Sequence, residues 1–326
     1  MRKKVYVGLS FPTEMIANFD DCVKLLEDAG FEVVVDANDH TLSPDELVEK
    51  LSGAYAFVAA AETVDDYILD RCPDLKIVSR MGVGYDKIDV DALNRRGVCL
   101  TITPGANAAP VAEFTVAMLM AAARKVCYID DYTRAGKWET CFGTSIEGKT
   151  LGIIGLGNIG KQVVKYLSGY NMRVITYTRS EPDPEFAKQY KVQRLSLDEV
   201  VSQSDFLLIH TPSTPATYHM LNEERFSMMK KNAILVNCSR GEIVDEKALY
   251  DALVSGKIAG AALDVFEQEP VDPNNPLLKL DNVIVSSHTA GMTFEGRKKV
   301  VDMSFQNIID ISNHIAPKGL INKHLM

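Results

Sequence analysis

The chain has 326 residues, 46% hydrophobic and 24% charged, enough for a sizeable core and more comfortably two domains than one. A formal net charge of −9 leaves no basic footprint for nucleic acid. Six cysteines (Cys22, Cys72, Cys99, Cys127, Cys141, Cys238) show no C-x-x-C pair and no clustering with histidine, which predicts a reduced, metal-free cytoplasmic protein.

The segment 1–4 is basic, but the apolar run after it is short and soon meets Glu14, Asp20 and Asp21. This predicts a first strand and not a signal peptide. Strand-like runs recur at 5–9, 31–35, 55–58, 75–78 and 98–101, with helical patterns at 18–29, 44–51, 65–71 and 90–96. Such alternation predicts an α/β domain whose parallel sheet is covered on both sides. A glycine-rich turn at 82–86 comes after the fourth strand. Next comes a punctuated connector, TPGANAAP at 103–110, and a long apolar helix is predicted over 111–134. Its small residues suit close packing between domains or subunits. The apolar stretch 111–123 is interrupted by Glu113 and is too short to span a bilayer, so no membrane is expected.

The segment KTLGIIGLGNIG at 149–160 organises the second half of the chain. Leu151, Ile153 and Ile154 predict a buried strand, and Ile159, Val163, Val164 and Leu167 predict a helix directly after the turn. Between them Gly155, Gly157 and Gly160 form G-x-G-x-x-G, and a second strand is predicted at 173–177. In this βαβ setting the glycines read as tight turn, close approach to a pyrophosphate, and close helix–strand packing. The anion is expected at the helix N-terminus. Further strands are predicted at 206–209, 233–237, 258–263 and 283–286, with helices near 223–229 and 245–255. A closing helix from 295 to about 314 is long enough to return to the first domain.

Arg240, Glu269 and His288 stand just past three of these late strands. In an open parallel sheet the carboxyl ends share one edge, where ligands bind. Each residue alone has a plain explanation: a turn cap, a solvated loop acid, a core histidine. Together they suit the reduction of a 2-oxo acid by a nicotinamide cofactor. Histidine supplies the proton, a neighbouring carboxylate favours the imidazolium and orients the ring, and arginine offers a fork matched to a carboxylate.

The segments GKTLGIIGLGNIG (148–160), HTPSTPAT (210–217), NCSRGEIVDEKAL (237–249), GAALDVFEQEP (260–270) and SSHTAG (286–291) resemble those of the D-isomer-specific 2-hydroxyacid dehydrogenases. This family includes glyoxylate/hydroxypyruvate reductases and D-3-phosphoglycerate dehydrogenases. The resemblance implies two doubly wound parallel-sheet domains, a Rossmann cofactor domain (104–292) inserted in a flavodoxin-like substrate domain (1–103 plus 293–326). It implies Arg240 on the substrate carboxylate, His288 as acid/base and Glu269 as its partner, with Arg80, Val83 and Gly84 also at the substrate. It carries cofactor contacts to Gly155, Gly157, Asn158, Ile159, Gly160, Thr178, Arg179, Ser180, Thr211, Pro212, Cys238, Ser239, Arg240, Asp264, His288, Ala290 and Gly291. A homodimer through the long helix is implied as well.

Two positions depart from the family pattern. Thr178, with Arg179 and Ser180 after it, stands where NAD binders carry an acid for the ribose, so NADP(H) is expected over NAD(H). The stretch Ala59, Ala60, Ala61 replaces the arginine that handles phosphate in phosphoglycerate dehydrogenases, which disfavours that alternative. A non-catalytic nucleotide-sensing protein on this fold is the alternative from another class, and turnover of 2-oxo acids separates the two.

Overall fold

The computed structural model describes residues 2–9, 11–37, 42–138 and 140–326; Met1, which opens the basic segment noted above, lies outside them. The chain divides into two compact units, Met1–Asn107 with Met292–Met326, and Ala108–Gly291.

In the first unit β1 (Lys3–Leu9), α1 (Phe19–Asp28), β2 (Phe31–Ala37), α2 (Pro44–Leu51), β3 (Ala54–Ala59), α3 (Asp66–Arg71), β4 (Ile77–Arg80), α4 (Val90–Arg96) and β5 (Cys99–Thr101) alternate along the chain. The sheet order is β2-β1-β3-β4-β5, all parallel, which is the flavodoxin-like winding. Strand periodicity divides β1 between two cores: Val5, Val7 and Leu9 face one side, Tyr6 the other. Ser43 caps α2 through a reciprocal box with Glu46, with Pro44 in the first turn.

The second unit begins with α5 (Ala108–Arg124) and α6 (Val126–Arg134). Here the structure corrects the single helix expected over 111–134. Lys125 takes a left-handed φ of 55°, which no glycine or proline in the sequence signals. The cause is tertiary. Thr144 N–H donates to the Ala123 carbonyl at 2.7 Å, and Gly143 lies so close that a Cβ there would meet that carbonyl at 2.7 Å. The returning chain therefore occupies the place of the next helical turn.

After this come β6 (Thr150–Ile154), α7 (Asn158–Tyr166), β7 (Arg173–Tyr177), α8 (Pro184–Tyr190), β8 (Gln193–Arg194), α9 (Leu197–Gln203), β9 (Phe206–Ile209), α10 (Glu223–Met228), β10 (Ile234–Asn237), α11 (Glu246–Val254), β11 (Gly260–Leu263) and β12 (Val283–Val285). The parallel order β12-β11-β10-β9-β6-β7-β8 is the dinucleotide-fold winding with one added edge strand. Its central strands are buried on both faces: Phe206 and Leu208 pack with α5 and α7, Leu207 and Ile209 with α10 and α11. The elements α8, β8 and α9 were not anticipated. Their start signals are nonetheless present: Asp183 before Pro184, and a Ser196–Glu199 capping box.

The chain closes with α12 (Phe294–Ser312), which belongs to the first unit. Val300, Val301, Phe305 and Ile308 complete the core beside Val5, Val7 and Phe19. Among the described residues no helix is long and apolar enough to cross a membrane.

Candidate active site

The G-x-G-x-x-G segment lies between β6 and α7, as its spacing requires. Gly155 adopts φ +97°, and a Cβ there would sit 2.4 Å from the His210 carbonyl. At Gly160 a Cβ would meet the Gly155 carbonyl at 2.6 Å, so the helix start can approach the turn only without a side chain. Gly157 caps α7, and the space beside its Cα is open. Asn158 and Ile159 open the helix. This is a bare backbone cradle at a helix N-terminus, and it fits a dinucleotide pyrophosphate. Thr178 stands just past the carboxyl end of the neighbouring β7 and is half-buried, with Arg179 and Ser180 exposed after it. Thr211 and Pro212 come after β9 on the same edge of the sheet.

The loop after β10 is shaped by Asn237, a buried residue that the sequence did not single out. Its Oδ1 accepts from Ser239 N–H at 3.0 Å and Ser239 Oγ at 2.8 Å, and its Nδ2 donates to the Arg240 carbonyl at 2.8 Å. The pattern is an Asx turn, whose only sequence trace is the N-x-S spacing. Gly241 was also missed. A Cβ there would lie 1.9 Å from the Phe266 carbonyl carbon, so this loop and the one after β11 touch backbone to backbone. Arg240 and Glu269 are thereby set on abutting loops. Burial pushes the Cys238 thiol up to about 12, which makes it an inert lining residue.

Asp264 ends β11 and is 1% exposed. Its carboxylate accepts from Ser286 Oγ at 2.7 Å, Thr289 N–H at 2.8 Å and Ala290 N–H at 2.9 Å, while its carbonyl accepts from His288 N–H at 2.7 Å. Asp264 thus determines the shape of the turn that runs from Ser286 through Ala290 to Gly291. His288 sits in it with φ 53°, a left-handed conformation that costs a residue with a side chain roughly 1–2 kcal/mol and persists because the surroundings dictate it. Its Nδ1 lies 2.6 Å from Glu269 Oε2. Burial pushes the Glu269 carboxyl up, but the hydrogen bond and charge of His288, the Phe266 amide and the Arg240 charge outweigh it and hold it below its ordinary value. A pocket of about 620 Å³ opens here, lined by Asp264, Phe266, Glu269, Val285, Ser286 and His288 among others.

In the first unit, Arg80, Val83 and Gly84 occupy the carboxyl end of β4 and the turn after it. Arg80 donates to the Met81 carbonyl, and its guanidinium fills the space beside Gly82, where a Cβ would lie 2.8 Å from Nη1. Val83 is exposed. Among the described residues no group of three or more His, Cys, Asp or Glu is arranged to hold a metal.

Residues 116–290 match the family model for the D-isomer specific 2-hydroxyacid dehydrogenase, NAD binding domain. A glyoxylate reductase of Korarchaeum cryptofilum is 37% identical over 100% of this chain and 98% of its own length. A D-3-phosphoglycerate dehydrogenase of Methanocaldococcus jannaschii is 42% identical over 86% of this chain and 53% of its own. Among solved structures, an acyclic imino acid reductase in complex with NADPH and D-Arg superposes with a TM-score of 0.86 at 26% identity, covering 98% of this chain and 99% of that one. With its two parallel-sheet domains and the dinucleotide cradle in the second, the chain belongs to the D-isomer specific 2-hydroxyacid dehydrogenase family.

Proposed function

We propose that this enzyme reduces a small 2-oxo acid of the glyoxylate or hydroxypyruvate type to the D-2-hydroxy acid, with NADPH preferred over NADH. The observation that carries this reading is the 2.6 Å His288–Glu269 pair beside Arg240, on the same sheet edge as the Gly155–Gly160 cradle. A nicotinamide cofactor supplies the hydride when bound. The chain's own residues manage charge and proton. With Nδ1 engaged by Glu269, the Nε2 of His288 is left to deliver a proton to the carbonyl oxygen as it gains negative charge. Glu269 stabilises the ring while it is charged and prevents it from turning. Arg240 grips the substrate carboxylate with a two-pronged donor, which orients the oxo carbon. The segments 1–103 and 293–326 act as the substrate domain, with Arg80, Val83 and Gly84 their contribution, and 104–292 as the cofactor domain.

NADPH preference rests on Thr178, which offers no charge against a 2′-phosphate, and on Arg179 and Ser180, which offer donors. At about 1.5–3 kcal/mol per charge-assisted bond, less imperfect geometry, the preference should be roughly 10- to 100-fold. Against phosphohydroxypyruvate stands the loop after β3: the Ala59–Ala61 stretch carries no arginine, and the buried Glu62 beside it accepts from Ala60 and Ala61 N–H at 2.9 and 3.0 Å, putting an acid next to that stretch. The test is kcat/KM for NADPH and NADH with glyoxylate, hydroxypyruvate and phosphohydroxypyruvate. NADH used as well as NADPH overturns the cofactor reading, and absence of turnover with every 2-oxo acid overturns the reaction.

A homodimer through α5 and α6 completes the proposal. It is supported by an apolar hollow of about 740 Å³ along Ala117, Met120, Ala121, Val126 and Ile129. Trp138 and Phe142, 91% and 84% exposed, come after it in sequence as anchors for a second copy. Six unpaired cysteines support work in the reducing cytoplasm. Light scattering on Met120→Asp should give a monomer if this face is the interface.

A further inference from the structure

We infer that Arg194 and Glu181 form a charge switch that makes the loop after β7 acceptable to a 2′-phosphate; this rests on the NADPH reading above. The difficulty is visible in the sequence. From Thr178 to Glu185 the chain reads TRSEPDPE, with Arg179 as its only cation and Glu181, Asp183 and Glu185 as acids. Taken as charges in solution, the loop would repel the dianion that Arg179 and Ser180 are meant to hold.

Two of the three acids are engaged. Asp183 accepts from Phe186 N–H at 2.8 Å as the cap of α8. Glu181 pairs with Arg194 Nη1. Arg194 comes from β8, where it is registered against Thr176 of β7, and so it lies alongside the loop that leaves β7. Its remaining donors close on that loop: Nε donates to the Thr178 carbonyl at 3.1 Å and Nη2 to the Arg179 carbonyl at 3.0 Å. One guanidinium therefore holds the backbone of both residues that face the ribose and neutralises the acid beside them.

Stability does not account for this arrangement. The Arg194 and Glu181 side chains are 36% and 78% exposed, and an ion pair that open contributes little to folding. Next to a bound dianion the same pair matters more, because an unpaired carboxylate close by acts directly on the ligand's charge. Arg194 is thus a positioning and specificity-determining residue, sixteen positions after Thr178, and Glu181 is the group it silences.

The experiment compares wild type, Arg194→Gln, Glu181→Gln and the double variant in the full-length enzyme. It uses kcat/KM for NADPH and NADH, with calorimetric binding of adenosine 2′,5′-bisphosphate and 5′-AMP as a readout independent of turnover. Arg194→Gln should lower kcat/KM for NADPH about tenfold through KM, with kcat and the NADH values within about twofold. Glu181→Gln alone should leave NADPH unchanged or raise it by about threefold at most, and the double variant should recover most of the loss. Arg194→Lys, which keeps the charge, should lose less than Arg194→Gln. Equal losses for both cofactors, or no recovery in the double variant, would mean that Arg194 only braces the loop and would overturn the inference. A wild type without NADPH preference sinks the cofactor reading and this inference with it. A preference that survives Arg194→Gln sinks this inference alone.

Discussion

Glu269 and His288 meet at 2.6 Å although they stand on the loops of two different strands. The contact exists because β11 and β12 are parallel neighbours in register, Leu263 opposite Val285, so that both loops leave the sheet at the same level. Glu269 is anchored on its other side by Phe266 N–H, from which Oε1 accepts at 3.2 Å. The carboxylate is therefore a placed group before any substrate arrives. Because its folded pKa lies below the ordinary carboxyl value, its stabilising contribution is present at neutral pH and is lost only as pH falls through that lowered value.

Glu269→Gln keeps the shape of the pair and removes the charge that holds and orients the His288 ring. With the ring less firmly placed, kcat for oxo-acid reduction should fall about tenfold, while cofactor Kd stays within about twofold. An unchanged kcat in the variant would show that the carboxylate does not act through His288.

His288→Ala removes the proposed proton donor and should lower kcat by at least ~10²-fold, the usual worth of a placed acid–base group. Cofactor Kd should stay within about twofold, since the cradle at Gly155–Gly160 does not depend on the ring. Parallel loss of NADPH binding would mark the residue as structural.

Arg240→Lys keeps the positive charge but loses the planar fork. The loss should fall on kcat/KM for the oxo acid, by about 10- to 100-fold, with cofactor binding little changed. Equal activity would indicate recognition by charge alone.

Asp264→Asn tests the turn that carries His288. Both carboxylate oxygens accept: one takes Ser286 and Thr289, the other Ala290. An amide has only one acceptor, so a buried N–H is left facing an NH₂ group, at a cost of about 1–3 kcal/mol. Urea denaturation should register this, and kcat should fall about tenfold as the histidine loses its placement. Lowered stability with unchanged kcat would refute the positioning role.

His210, directly after β9, has both ring nitrogens shielded from solvent and without a hydrogen-bond partner among the described residues, though the residue as a whole is partly exposed. Burial pushes its pKa from 6.5 down to about 4. The unfolded chain then takes up a proton between these values and the folded chain does not. Stability is full above the higher value and declines as pH falls towards the lower, by roughly 2 kcal/mol at pH 5. His210→Phe should reduce the difference in urea stability between pH 7 and pH 5 by about that amount. An identical pH dependence in the variant would show that the ring is hydrated or partnered in solution.

Much of this molecule was legible in its sequence because the signals are local. The alternation of strands and helices marked both doubly wound units, and the glycine spacing at 155–160 marked the cradle, since the positive φ of Gly155 and the approach of Gly160 to the Gly155 carbonyl are written into that spacing. Arg240, Glu269 and His288 could be assigned to one edge because a parallel sheet puts all its carboxyl ends there. The segment 184–203 is less legible although its caps are present in the sequence; short helices with few apolar residues give weak periodicity.

The sequence alone determined the alternation of elements, the cradle and the sheet edge that carries Arg240, Glu269 and His288. Tertiary structure decided the break at Lys125, the Asp264 carboxylate that shapes the His288 turn, the abutment of Gly241 on Phe266, and the reach of Arg194 to Thr178 and Arg179. The physical reason is range. Helix periods, caps and glycine turns are decided by atoms within a few residues of one another. A hydrogen bond from Ala290 to Asp264, or one from Thr144 to the Ala123 carbonyl, depends on segments that only the folded chain brings into contact.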